Sequence, residues 1–139
     1  MNKAGVKHLP KSPMAYAYKT DVLHLYLQTA KDDVEEVELI IGDPFDYECM
    51  DGKYTWKPQI SSFLKMKKAY STENHDFWFQ EVKTLTRRVK YGFILHSQKS
   101  KYFYGCRKLK EFTDEPKWLF EPSQYFNFPY ILEADIIST

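Results

Sequence analysis

The sequence lacks an excess of charge of either sign. It contains 20 lysines and arginines against 19 aspartates and glutamates, which gives a formal net charge of +1. A domain that binds nucleic acid normally carries a basic face that contacts the phosphates. We therefore expect no nucleic-acid partner.

Long apolar runs and a cysteine framework are also missing. No stretch approaches the roughly 20 apolar residues that a membrane helix needs, and Met1 to Pro10 lacks the apolar centre of a signal peptide. The two cysteines, Cys49 and Cys106, have neither C-x-x-C spacing nor a secretory context. The sequence predicts a cytoplasmic chain with two reduced thiols and no membrane partner.

Helical periodicity is absent over the roughly ten residues that a stable helix needs, and alternation takes its place. Apolar residues recur at every second position in three runs: Leu23, Leu25, Leu27; Val37, Leu39, Ile41; and Val89, Tyr91, Phe93, Leu95. This period of two indicates strands with one buried face. We expect these side chains to form the core, and Lys90, Gly92, Ile94 and His96 to face away from it.

The spacing of the runs indicates an all-β fold. Seven or eight short strands with short connections predict an antiparallel, two-sheet β-sandwich of immunoglobulin-like type over residues 1–131. The first three strands look like a meander, and Tyr54 to Phe63 suggests one irregular or edge strand. The segment Lys108 to Phe112 fits a helical turn or a strand equally well, and Tyr125 to Tyr130 is expected to be the last strand.

Convincing catalytic motifs are absent. Neither a nucleophile with its base nor a phosphate loop is present, and the acidic run from Asp32 to Glu38 lacks the ligand pattern of a calcium loop. His24 and His96 share no spacing with a third metal ligand. Two carboxylate pairs lie near aromatics, Asp43 with Asp46 and Asp76 with Glu81, and nothing marks either as catalytic. We expect no catalytic residue, no metal and no cofactor.

Aromatic residues are abundant, with 3 Trp, 11 Tyr and 10 Phe. Nine fall in segments that resemble loops or edge strands: Phe45, Tyr47, Tyr54, Trp56, Tyr70, Tyr102, Tyr104, Trp118 and Tyr125. Exposed aromatic rings on a rigid scaffold suit stacking on sugars or anchoring a protein interface. The alternative is that they close the end of the sandwich as core residues.

Several segments together resemble one enzyme family in content and in order. They are Met14 to Tyr18, Leu23 to Thr29, Gly42 to Tyr47, His75 to Val82, Arg87 to Ser97, and Phe126 to Tyr130 followed by Glu133 to Asp135. The chain is similar over nearly its whole length to the N-terminal domain of neopullulanases, maltogenic amylases and cyclomaltodextrinases of the α-amylase superfamily.

This resemblance implies a family 34 carbohydrate-binding module that precedes a catalytic (β/α)₈ barrel. Residues 132–139 would then begin the linker, and the parent protein would be a glycoside hydrolase although this part of it is not catalytic. The resemblance also implies a homodimer, in which the loop carrying Phe45, Asp46 and Tyr47 reaches the partner subunit's cleft. Phe45 and Tyr47 stand where relatives often carry Tyr and Trp, so aromatic stacking is retained.

A second role is implied by other members of the same family. Some relatives hold malto-oligosaccharide on the module itself, partly through a Trp that matches Trp56. The binding partners expected from the two roles are an α-glucan or cyclodextrin and the barrel of the other subunit. A calcium site found in one relative is not transferred, because Met1 to Pro10 lacks its ligands.

Overall fold

A computed structural model describes residues 1–9, 14–19, 22–42, 47–50, 53–56, 64–83, 89–106, 109–112 and 124–128. Apart from 3-10 geometry at Lys3–Gly5 and at Gln124, the regular structure in these ranges is entirely strand. The strands are β1 (Ala15–Lys19), β2 (Val22–Ala30), β3 (Glu36–Gly42), β4 (Tyr47–Met50), β5 (Lys53–Trp56), β6 (Leu64–Lys65), β7 (Lys67–Ser71), β8 (His75–Lys83), β9 (Val89–Ser97), β10 (Ser100–Tyr104), β11 (Leu109–Phe112) and β12 (Phe126–Phe128).

Two antiparallel sheets form the body of the fold. The first has the strand order β1-β2-β8-β7, and the second has the order β11-β10-β9-β3-β6 with β12 also paired to β9. Strands β4 and β5 form a separate two-stranded ribbon. One core cluster contains side chains from both large sheets. The predicted all-β, antiparallel sandwich is therefore confirmed.

The predicted inward faces are also confirmed. Each side chain from the alternating runs on β2, β3 and β9 is almost completely shielded from water. Val89 is 2% exposed and Ile41 6%, while Leu23, Leu25, Leu27, Val37, Leu39, Tyr91, Phe93 and Leu95 are all 0% exposed. Burial of these large apolar side chains is the main stabilising contribution to the sandwich.

The prediction that the second face of β9 lies away from the protein core was wrong for two of its residues. Gly92 is buried and Ile94 is only 4% exposed. A smaller cluster covers this face, and Ile94 packs in it with Ile40, Phe103 and Tyr125. A Cβ on Gly92 would lie 2.6 Å from a ring atom of Phe103, so this strand needs a residue without a side chain here.

The predicted meander of the first three strands was wrong. Strand β2 pairs with β1 and β8, whereas β3 pairs with β9 in the other sheet. The turn between β2 and β3 includes Asp32 at φ 55, in the left-handed region, and carries the chain across the sandwich. Alternation indicates which face of a strand is buried, but it does not identify the neighbouring strand.

Two further segments differ from or complete the prediction. The segment that fitted a helix or a strand contains β11, which pairs with β10. Of the irregular or edge strand expected from Tyr54 to Phe63, the part from Tyr54 to Trp56 lies in β5, which pairs with β4. Residues 57–63 lie outside the described residues. The described part therefore has twelve strands rather than seven or eight.

None of the helical segments in the described part is long and apolar enough to cross a membrane.

Candidate functional site

The ribbon of β4 and β5 carries two of the predicted site positions. Tyr47 begins β4, Trp56 ends β5, and the antiparallel register makes them direct cross-strand partners. Sequence reasoning gave these positions separate roles, one at a partner's cleft and one in sugar stacking. The backbone places both on one hairpin. Phe45 and Asp46, the other predicted site residues, lie outside the described residues, as does Trp118.

A second candidate site lies on the outer face of the sheet formed by β1, β2, β8 and β7. Because Leu23, Leu25 and Leu27 point into the core, the alternate residues of β2 point outward. A cavity of about 290 Å³ opens on this face and is lined by Met14, Tyr16, Tyr26, Tyr70 and Phe77. All four strands contribute a side chain to its wall.

The aromatic rings of this cavity, which we call the tyrosine cavity, are held by neighbouring rings. Tyr70 stacks on Phe77 with ring centroids 4.7 Å apart and an interplanar angle of 15°. Tyr26 packs against Phe79 at 4.8 Å. Tyr70 is 53% exposed, so one face of its ring is available to a ligand. The cavity therefore presents an aromatic surface whose orientation is fixed by packing.

Hydrogen bonds connect the hydroxyl groups of the cavity in a relay. Nε2 of His24 lies 2.7 Å from Oε2 of Glu81, and Nδ1 lies 3.1 Å from the hydroxyl of Tyr16. A carboxylate only accepts, so Nε2 carries the proton and Nδ1 of the neutral imidazole accepts from Tyr16. Tyr26 donates to the hydroxyl of Tyr16. Burial, and to a smaller extent the interaction with Tyr16, raises the pKa of Tyr26. The oxygen of Tyr26 remains an acceptor at the end of the relay.

Sequence reasoning assigned the exposed aromatics only in part. Tyr70 is exposed as expected, whereas Tyr102 is 9% and Tyr125 1% exposed, so these two belong to the core clusters. Tyr16, Tyr26 and Phe77 were not singled out. Their signal was present, since aromatic residues occupy strand positions that alternate with the buried ones.

The carboxylate pair Asp76 and Glu81 does not form an acid–base pair. Asp76 is completely buried on β8 and accepts hydrogen bonds from the Ser71 hydroxyl at 2.5 Å and the backbone N–H of Asp32 at 2.9 Å. Two lysines, Lys31 and Lys68, lie 3.7 and 3.5 Å from it. Burial alone would raise its pKa, but these hydrogen bonds and the charge of Lys68 lower it. Asp76 thus fixes a turn, while Glu81 is on the opposite face of the strand.

His8 is a structural residue that sequence reasoning missed. It is 3% exposed and connects the two sheets. Its Nδ1 donates to the carbonyl of Tyr26 at 2.7 Å, and its Nε2 therefore accepts from the Tyr91 hydroxyl at 2.7 Å. Burial lowers the pKa of His8 to about 4. The sequence around His8 does not indicate this role, because the role depends on hydrogen bonds to β2 and β9, which are distant in sequence.

His96 does have carboxylate neighbours, contrary to the expectation from spacing. Glu36 and Glu38 on β3 lie beside it, with Nε2 at 2.5 Å from Glu38 and 3.6 Å from Glu36. The three groups are close enough to hold a metal ion. Lys65 lies 2.7 Å from Glu36 and lowers the pKa of that carboxyl. His24 is in the other sheet, so the histidine pair considered from the sequence does not form.

Comparison with known proteins assigns the family. The model of the family described as "Alpha amylase, N-terminal ig-like domain" matches residues 1–132. The chain belongs to this family. The immunoglobulin-like sandwich expected from the sequence is therefore the fold of an α-amylase N-terminal domain.

Relatives of this α-amylase N-terminal domain are much longer proteins. The chain is 36% identical over 136 residues to a maltogenic alpha-amylase of Bacillus acidopullulyticus, covering 98% of the chain and 21% of that protein. It is 34% identical over 135 residues to an intracellular maltogenic amylase of Bacillus subtilis (strain 168), covering 97% and 21%. A solved cyclomaltodextrinase structure matches with a TM-score of 0.78 at 29% identity, covering 99% of this chain and 21% of the other. The chain thus spans about a fifth of the relatives it matches.

Proposed function

We propose that this chain is the non-catalytic N-terminal module of an intracellular α-glucan hydrolase of neopullulanase or cyclomaltodextrinase type. The module would join two subunits into a homodimer and shape the active-site cleft of the partner subunit. The catalytic carboxylates would belong to a barrel domain outside these 139 residues, connected through the linker that begins at residues 132–139.

The cross-strand pairing of Tyr47 and Trp56 carries this proposal. Both positions suit contact with an apolar sugar face or a protein surface, since Tyr and Trp are enriched at such sites. An isolated two-stranded ribbon is marginally stable by itself. Packing against a second subunit would give this ribbon a fixed position beside the cleft.

The relatives support the enzyme class and the compartment. Their names, maltogenic amylase and cyclomaltodextrinase, describe the production of maltose and action on cyclic maltodextrins, and one name includes the word intracellular. The domain would act there sterically, by admitting a small cyclic glucan and excluding a long chain. The domain would therefore contribute to substrate specificity by steric exclusion of long glucan chains, and it would supply no reacting group.

The test uses the full-length enzyme with Phe45→Ala and Tyr47→Ala combined. We expect a lower ratio of kcat/KM for cyclodextrin to that for soluble starch, with turnover of a small chromogenic maltoside nearly unchanged. Sedimentation at the assay concentration verifies that wild type and variant are both dimeric. An unchanged ratio in a dimeric variant would refute the role in shaping the cleft.

A second candidate function is direct α-glucan binding through Trp56. An open aromatic platform buries little of a ligand, so we expect a Kd of roughly 10⁻³ to 10⁻⁴ M. If Trp56 is this platform, Trp56→Ala should abolish binding of malto-oligosaccharide and lower the melting temperature little. A loss of stability typical of a core Trp, about 3–5 kcal/mol, would instead identify Trp56 as a packing residue.

A further inference from the structure

The tyrosine cavity has the two features that recognition of a neutral sugar requires. An apolar ring surface is present at Tyr70 and Phe77, whose rings are already stacked on each other. A hydrogen-bonding group of fixed direction is present at Tyr26, because the relay through Tyr16 and His24 uses its proton. A pyranose ring matches both features. The C–H groups on its face can stack on an aromatic ring, and the hydroxyls at its edge can donate hydrogen bonds to the oxygen of Tyr26.

The lining of the cavity contains no charged side chain and so offers no ion pair to a ligand. Tyrosine, phenylalanine and methionine form the wall, and the raised pKa of Tyr26 keeps its phenol neutral. The volume of about 290 Å³ lies at the lower end of ligand pockets, which span about 300–1,000 Å³. Such a cavity suits one or two sugar rings rather than a folded peptide.

We propose that the tyrosine cavity is an α-glucan binding site separate from the β4–β5 hairpin, in which a glucosyl ring stacks on Tyr70. The acceptor oxygen of Tyr26 receives a hydrogen bond from a sugar hydroxyl. The choice of an α-glucan as the occupant rests on the proposed function. The position of the site rests on the cavity and the relay.

The site requires no rearrangement of the sheet. Tyr70 is opposite Phe77 in the register of β7 and β8, and Tyr26 is on the neighbouring strand β2. Stacking between rings and hydrogen bonds within the sheet hold these groups before a ligand arrives. Pre-organisation of this kind reduces the entropy that binding costs.

The experiment is a titration of the 139-residue chain with maltoheptaose, followed by calorimetry and by backbone amide NMR shifts. We expect millimolar affinity and shifts concentrated on β1, β2, β7 and β8. Tyr70→Ala should weaken binding about tenfold or more, because it removes the stacking surface. Tyr26→Phe should weaken binding about fivefold, because it removes one hydrogen-bonding oxygen and keeps the ring.

Matched controls separate this site from the hairpin and from misfolding. Tyr18→Phe, on the same strand as Tyr16 but outside the cavity wall, should leave the affinity unchanged, and so should Trp56→Ala. Tyr70→Leu retains apolar bulk and should still lose the stacking contribution, with circular dichroism verifying its fold. Cellohexaose, a β-linked glucan, should bind at least several-fold more weakly.

Three results would overturn the proposal. The first is loss of binding in Trp56→Ala with full binding in Tyr70→Ala, which would place the glucan on the hairpin and leave the proposed function standing. The second is equal affinity for cellohexaose. The third is no binding of maltoheptaose by the wild-type chain at about 10 mM, roughly 100-fold above the tighter end of the expected range. This third result would not affect the role of the hairpin in a dimer.

Discussion

The outer faces of the two sheets differ in how far they are covered. On β2, inward residues are completely buried while His24 and Tyr26 on the outer face remain partly exposed. On β9, Gly92 and Ile94 of the outer face are buried as well, because Phe103 and Tyr125 lie over them. Strand β9 is therefore enclosed on both faces, and β2 on one.

Because of this difference, some aromatic residues serve only to pack the core, whereas others present a ring surface to a ligand. Phe103 and Tyr125 contact each other edge to face at 5.0 Å and complete a second small core. Tyr70 stacks on Phe77 at a similar distance, but its other face is open to solvent. The same residue types thus stabilise one sheet and leave a ligand-accessible surface on the other.

The largest expected effect comes from removing a side chain on the covered outer face. Ile94→Ala should lower the free energy of unfolding by about 2–5 kcal/mol, since it leaves a cavity under Phe103. Val22→Ala is the control, at a half-buried outer position of β2, and should cost less than about 1 kcal/mol. Chemical denaturation measures both, and equal losses would contradict the distinction between the two faces.

The second effect is a pH dependence set by His8, which bridges the sheets. Its pKa is about 4 in the folded protein and 6.5 when unperturbed. The unfolded state therefore binds the proton more tightly, and folding stability decreases as pH falls from 6.5 to 4. The loss amounts to roughly 3 kcal/mol. Denaturation at a series of pH values measures it.

A variant and a second group give this pH prediction its control. In His8→Gln the loss between pH 6.5 and 4 should be largely removed, although the variant is less stable at every pH. Asp76 acts in another window, because its pKa lies below the ordinary 3.8 and its contribution is lost only as pH falls further. A wild-type loss confined to pH below 4 would assign the acid sensitivity to carboxylates and not to His8.

The sequence predicts much of the fold from local patterns. The alternation on β2 and β9 correctly identified the side chains that point into the main core, because side chains along a strand point to opposite sides. It did not identify the second, smaller cluster that covers the other face of β9. Sheet membership was not predictable in the same way. Pairing of β3 with β9 joins residues 48 to 60 positions apart, such as Leu39 and Phe93, and no local signal encodes it.

The third effect concerns the close approach of Phe103 to the backbone of β9. Gly92→Ala should destabilise the protein by about 1–3 kcal/mol, because the new methyl group meets the Phe103 ring. Phe103→Leu in the same chain should recover part of that loss by making room. Additive losses in the double variant would show that the contact does not limit this position.

The candidate sites were predictable to unequal degrees. Tyr47 and Trp56 were identified through a resemblance in sequence, and only the register of β4 and β5 relates them. Tyr26 and Phe77 carry no motif, because their significance depends on the relay and on Tyr70 from another strand. A site built across neighbouring strands is defined by the sheet order, which local sequence patterns do not contain.

The smallest expected effect on the free energy of unfolding comes from removing one tyrosine hydroxyl on each sheet and comparing the two costs. Tyr26→Phe removes a hydroxyl on the open face, where water can replace the lost partner of Tyr16, so the cost should stay below about 1 kcal/mol. Tyr91→Phe removes a completely buried hydroxyl and leaves Nε2 of His8 without its donor, at a cost of about 1–3 kcal/mol. Thermal or urea denaturation at pH 7.5, where His8 is neutral in both states, compares the two variants. Equal costs would mean that the hydroxyl of Tyr26 is as shielded as that of Tyr91, and an acceptor shielded to that extent could not receive a hydrogen bond from a sugar.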